Sequence, residues 1–193
     1  MRASLFLLFA AVAHAQIYFP NGAFSARPDV DQRDAFEYAS VLKAFGEQPL
    51  YSLSPPEGVE CYRFIWLRAF ARPVVLRLNV LKDGDGTLVI KVGEVANLPR
   101  STEMRTKLVR EEKKDLDQRT VGRFRSYIDR SDLYAIPHLD ENIGLDGSMW
   151  IIEAVSYGKY HIVWRWFPRS GPVREAGTQL IYLAIGGDLM PIY

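Results

Sequence analysis

Leu145-Asp-Gly-Ser-Met-Trp-Ile-Ile-Glu-Ala-Val-Ser-Tyr-Gly-Lys-Tyr-His-Ile-Val-Trp-Arg-Trp-Phe-Pro168 is the stretch whose reading decides the fold. Met149 to Val155 and Lys159 to Trp166 are rich in β-branched and aromatic residues. Ser156-Tyr157-Gly158 separates them, which is the pattern of an antiparallel hairpin. A three-residue loop with Gly158 in the left-handed conformation is a common hairpin form. That register sets Val155 opposite Lys159, Glu153 opposite His161, and Met149 opposite Arg165. Glu153, His161 and Arg165 then share one sheet face, while Trp150, Ile152, Tyr160, Ile162 and Trp164 pack on the other. A two-residue loop would instead place Glu153 and His161 on opposite faces, because side chains alternate with period two.

Working outward, further strands precede this hairpin. Tyr62 to Phe70 sets Tyr62, Phe64, Trp66 and Phe70 on one face, with Arg68 an oddity on that same face. Arg72-Pro73 reads as a break, Val74 to Leu81 as a second strand, Asp83-Gly-Asp-Gly86 as a turn and Thr87 to Val92 as a third strand. The charge-dense tract from Arg105 to Asp117 could support a helix. Its Lys107 to Arg110 part reads as an extended edge and Arg110 to Asp115 as a solvated face.

Three helices complete the reading. Asp31 is placed to cap a helix from Gln32 to Phe45 carrying Ala35, Tyr38, Leu42 and Phe45 on one face, with Gly46 as its stop. Asp117 caps Gln118 to Arg130, where Val121, Phe124 and Ile128 align. Pro172 opens a last helix with an apolar stripe from Val173 to Ala184, ended by Gly186-Gly187. The expected fold is one α+β domain: a mainly antiparallel sheet of about five strands with three helices.

Residues 1–15 read as a cleavable export signal: Arg2, then an apolar run from Leu5 to Ala13, then the small-x-small site Ala13-His14-Ala15. The run is far shorter than the roughly 20 residues of a membrane span. Gln16 rather than Cys follows the cleavage site, so no lipid anchor is expected. The product is expected to be soluble in the periplasm or outside the cell. Cleavage leaves 178 of the 193 residues as a single domain, 16–193, with 16–31 as an irregular lead-in.

Composition narrows the function. The chain has 24 basic and 23 acidic residues, and only Arg2 lies in the signal, so the mature chain is neutral. Neutrality gives no electrostatic case for nucleic acid. There is no phosphate-binding glycine loop of either nucleotide-binding type, so no nucleotide or other cofactor is expected. Asp83-Gly-Asp-Gly86 lacks the remaining ligands of a calcium loop, and the acidic loop Asp140, Glu141, Asn142 and Asp146 has no recognised spacing. His138 and His161 alone are too few for a histidine-rich zinc site. Cys61 is the only cysteine, so no internal disulfide forms, and it reads as a small buried apolar residue.

Three functional readings remain open, one of them a structural component of the envelope. If Glu153 orients His161, the imidazole becomes a general base and Arg165 steadies an anion. That arrangement is a cofactor-independent hydrolase, with Asp146 or Arg68 nearby. Alternatively the polar face is a cross-strand network in a non-catalytic binding protein of inhibitor or immunity type, whose partner is another envelope or secreted protein. Its binding candidates are Arg68, Asp146, Trp150, Glu153, His161 and Arg165.

Tyr62-Arg-Phe-Ile-Trp-Leu-Arg68, with Asp146-Gly-Ser-Met-Trp150, Glu153, Gly158-Lys-Tyr-His161 and Arg165-Trp-Phe-Pro168, resembles a family of small exported bacterial proteins of unknown function. The resemblance spans Tyr62 to the end of the chain and implies kinship rather than a chemistry. Two positions depart from that pattern. Trp164 stands where an acidic residue often precedes the Arg-Trp pair, and Ala71 where a histidine often follows the first strand. Both departures remove groups an acid–base site would use.

Overall fold

Six strands form one antiparallel sheet in the spatial order β4-β3-β2-β1-β5-β6. In chain order the elements are α1 (Pro28–Ala44), β1 (Glu60–Arg68), β2 (Ala71–Val80), β3 (Gly86–Val95), β4 (Thr106–Leu116), α2 (Gln118–Arg130), β5 (Ser148–Ser156), β6 (Lys159–Trp166) and α3 (Pro172–Ile185). The computed structural model describes residues 17–51, 60–95, 106–140, 144 and 147–186. The export signal, Glu141, Asn142 and Asp146 therefore lie outside the described residues. The α+β class is as expected, with six strands rather than about five.

Period-two alternation divides the apolar residues into two cores, one on each face. The first joins Phe64, Trp66, Leu78 and Trp150 of the sheet to Phe124 and Ile128 of α2 and Leu180 of α3. The second joins Ile65, Val75, Ile151 and Trp164 to Tyr38 and Leu42 of α1 and to Phe19 and Phe24 of the lead-in. Helices thus cover both faces, which is why every residue of β1 from Glu60 to Leu67 is buried.

Four boundaries differ from the sequence reading, each for a physical reason. First, α1 begins at Pro28, which fits the first turn because its missing N–H is not needed there. Asp31 therefore does not cap it. Buried inside the helix, its carboxylate accepts from the backbone N–H of Gly22 at 2.7 Å and Phe24 at 2.8 Å, fastening the lead-in onto α1.

Second, β2 runs through Pro73 because the β1–β2 pairing shifts between Trp66 and Arg68, and a bulge absorbs a residue that cannot donate. Third, Phe70 falls in the tight turn between these strands instead of on the sheet face and is 88 % exposed. Fourth, the whole charged run to Leu116 is strand. Its opposite-sign side chains line a sheet edge, a placement that discourages pairing with other chains. The α2 cap is as expected, with Asp117 Oδ1 accepting from Thr120 N–H at 2.8 Å.

Candidate functional site

The β5–β6 turn has two residues, Tyr157 and Gly158, with φ of 51° and 72°. Both positive values mark the turn type whose twist matches that of the strands. Ser156 consequently pairs with Lys159, Ala154 with His161, Glu153 with Ile162 and Trp150 with Arg165. The three-residue register is overturned, and the shared Glu153–His161–Arg165 face with it. His161 and Arg165 lie beside Trp150 and Ile152, whereas Tyr160, Ile162 and Trp164 share the α1 face with Glu153. The α1-side core enforces this register. Ile162 and Trp164 are buried there, and Trp164 Nε1–H donates to the Ala23 carbonyl at 3.1 Å.

Glu153 is wholly excluded from solvent. Directly across from it on β1 stands Arg63, equally buried, whose Nε donates to Glu153 Oε2 at 2.7 Å. Tyr160 Oη donates to the other carboxylate oxygen at 2.9 Å. On its other side Arg63 pairs with Arg77 of β2, a juxtaposition of like charges. Glu47, from the segment after α1, resolves it. Its carboxylate takes Arg77 Nε at 2.8 Å, Lys91 Nζ at 2.8 Å and Arg63 at 3.4 Å. Three cations and two carboxylates are thereby linked across β1, β2, β3 and β5.

Burial pushes both carboxyl pKa values up, with opposite outcomes. For Glu47, the charges of Arg77, Lys91 and Arg63 overcome burial and hold it below its ordinary range. For Glu153, burial prevails over Arg63 and Tyr160 and the value is raised. Sequence reading missed Arg63, Arg77 and Lys91 as partners. The signal available was three cations recurring on one face of consecutive strands, too many for a buried face without acids. Glu47 has no such signature, since it lies outside the strands. Arg63, Glu47 and Glu153 are enclosed, while Arg77 reaches the surface, and every one of these side chains is engaged by another member of the network.

On the opposite face, at the β6 edge, His161 Nε2–H donates to the Leu133 carbonyl at 2.9 Å, and desolvation lowers its pKa. Arg165 donates to the Pro137 carbonyl at 2.8 Å and lies 3.4 Å from Asp140. Both side chains fasten the 133–140 segment onto the sheet. Trp150 is 1 % exposed, with Nε1–H donating to Ser148 Oγ at 2.7 Å, so this binding candidate is a core residue.

Arg68 is different. Its guanidinium stacks on the Trp66 ring at 4.1 Å and Nη2 donates to the Arg72 carbonyl at 2.8 Å. Cavities open on both sides of it. One of about 300 Å³ lies against α1 near Tyr38, Leu67 and Met149, and another of about 310 Å³ lies under the end of α3. Burial lowers the Arg68 pKa with no charged group opposing it. Among the described residues, no group of three or more His, Cys, Asp or Glu is placed to hold a metal ion. Cys61 is buried 3.5 Å from Asn79 Oδ1, and burial pushes its thiol up to about 12. No protein-family model and no curated protein matches the chain.

Proposed function

We propose that this chain is an exported, non-catalytic binding protein that engages another envelope or secreted protein through the end of the sheet where β1 turns into β2. The observation that carries the reading is the exposure of Phe70 at 88 % on the tip of that turn, beside the half-buried Arg68. An aromatic and an arginine together are the residue types that anchor protein interfaces. Support against catalysis comes from the separation of Glu153 from His161 by the sheet itself and from the engagement of each with structural partners. Export rests on the signal-like residues 1–15, and no helix among the described residues is long and apolar enough to cross a membrane.

The test is quantitative capture from envelope extract and culture medium with the tagged chain and its Phe70→Asp variant. One protein should be enriched by the parent and lost, by about tenfold or more, with the variant. Equal capture by both overturns the proposed surface. Turnover of an ester, peptide or phosphomonoester by the parent, abolished in a folded Glu153→Gln or His161→Ala variant, overturns the non-catalytic reading.

A further inference from the structure

We propose that the cavity under the end of α3 seats the aliphatic tail of a small linear carboxylate, a medium-chain fatty acid anion, whose carboxylate is received by Arg68. The inference rests on the binding reading above and adds a ligand to it.

The walls define the tail. Trp66, Val74, Leu76 and Ile90 of the sheet face Ile181 and Ala184 of α3 around about 310 Å³. That volume is at the lower end for small-molecule sites, about 300–1,000 Å³, and is lined here by apolar side chains. It suits a slender aliphatic chain rather than a peptide helix or a polar sugar.

The rim defines the head group. Arg68, Arg110 and Glu112 are its charged residues. Arg110 holds Glu112 Oε1 through Nε at 2.8 Å and Nη2 at 2.6 Å, so these two neutralise each other. Among the described residues Arg68 has no carboxylate within ion-pair distance, although burial has stripped part of its hydration. A desolvated cation without a counter-ion is unfavourable, and an incoming anion relieves it. Beside it, Arg68 Nε–H and the indole Nε1–H of Trp66, a residue only 6 % exposed, are donors without an acceptor among the described residues. With the Arg72 carbonyl already taken by Arg68 Nη2, two donors in this corner have no acceptor among the described residues. A planar carboxylate matches one guanidinium fork, whereas a phosphate dianion would call for more than the one unpaired cation found among the described residues.

The test uses the full chain with hexanoate, octanoate and decanoate, and with decanol as the uncharged control, by calorimetry and by the indole N–H signals. The chain has four tryptophans, and Trp66→Phe identifies the Trp66 signal by its disappearance. Affinity should rise about fourfold per added methylene. Decanoate should bind at least about tenfold more tightly than decanol, with movement of the Trp66 signal. Arg68→Met should reduce decanoate to the level of decanol. Absence of decanoate binding, parity of decanoate with decanol, or an unmoved Trp66 signal overturns the proposal. The parent comparison decides the matter even if Arg68→Met fails to fold. Phe70→Asp should leave decanoate binding intact. A parent chain that captures its partner but does not bind decanoate would refute this inference alone, and equal capture by the parent and Phe70→Asp with decanoate binding preserved would refute only the protein-partner surface.

Discussion

Arg63 and Glu153 face each other across β1 and β5 and are joined at 2.7 Å and 2.6 Å, with both side chains wholly excluded from solvent. A pair taken fully out of water gives up much of its Coulombic gain to desolvation, so its presence is weak evidence of stability. Removing one partner is another matter, because the survivor stays buried and charged.

Glu153→Gln should therefore destabilise the fold by about 3–5 kcal/mol in urea unfolding. The paired replacement of Arg63 by Met and Glu153 by Leu should recover most of that loss. Glu47 would retain Arg77 and Lys91 in the double variant. A double variant as unstable as the summed single variants would refute the coupling.

The two buried glutamates should shape acid unfolding in opposite directions. Glu47 has a folded pKa below its ordinary 4.5. Its contribution is present above the unfolded value and is lost as pH falls through the folded one. Glu153 is raised above 4.5, so its contribution is present below the unfolded value and lost as pH rises through the folded one. Unfolding free energies between pH 3 and 7 should show a shallower acid limb for Glu47→Gln and a steeper one for Glu153→Gln. Identical limbs would contradict the assignment.

His161 should titrate below 6.5, because desolvation disfavours the imidazolium. Nitrogen-detected histidine spectra across pH 4 to 8 follow this directly, with the Nε2–H tautomer expected from the bond to Leu133. A midpoint above 6.5 would indicate an acidic partner and revive the acid–base reading.

Tyr157 adopts a left-handed φ of 51° while 86 % exposed, so it gives up backbone energy without burying its ring. Tyr157→Asn should raise stability by about 0.5–1 kcal/mol, since asparagine tolerates that conformation and is favoured in two-residue hairpins. Gly158→Ala, at φ of 72°, should lower it by about 1 kcal/mol. Thermal unfolding of both variants checks the turn type, and a three-residue loop would leave Tyr157→Asn without benefit.

Gly177 of α3 packs against Trp150, where an added Cβ would come within 2.6 Å of the ring. Alanine usually favours a helix by about 1 kcal/mol over glycine. Here the contact should reverse the sign, giving a net loss of about 1–3 kcal/mol. A stabilised Gly177→Ala variant would show that α3 can shift away from the sheet.

Periodicity exposed the strands and helices because each buries one or two faces of regular spacing, as Phe64, Trp66, Ile65 and Leu67 do on β1. The candidate site depended on something periodicity does not encode, namely the number of residues in one turn. Tyr157 in a left-handed conformation is unusual for a bulky residue, and the three-residue reading followed from assigning that role to Gly158 alone. One residue of slip carried His161 to the other face. Glu47 was illegible for another reason: its partners come from three strands, and its position after α1 is fixed by packing of Phe45 rather than by local sequence. Arg68 was the anomaly in the strand pattern that has no charge partner among the described residues.

Burial of Cys61 has a consequence for how the chain would withstand an oxidising environment. A thiol raised to about 12 and shielded between β5 and β2 cannot attack a disulfide from its folded position. Its reaction with an external disulfide must wait for β1 to come away from its neighbours. The rate of thiol capture then reports the opening rate of the central strand, and the sheet itself acts as the guard that keeps a solitary cysteine from cross-linking the protein to others.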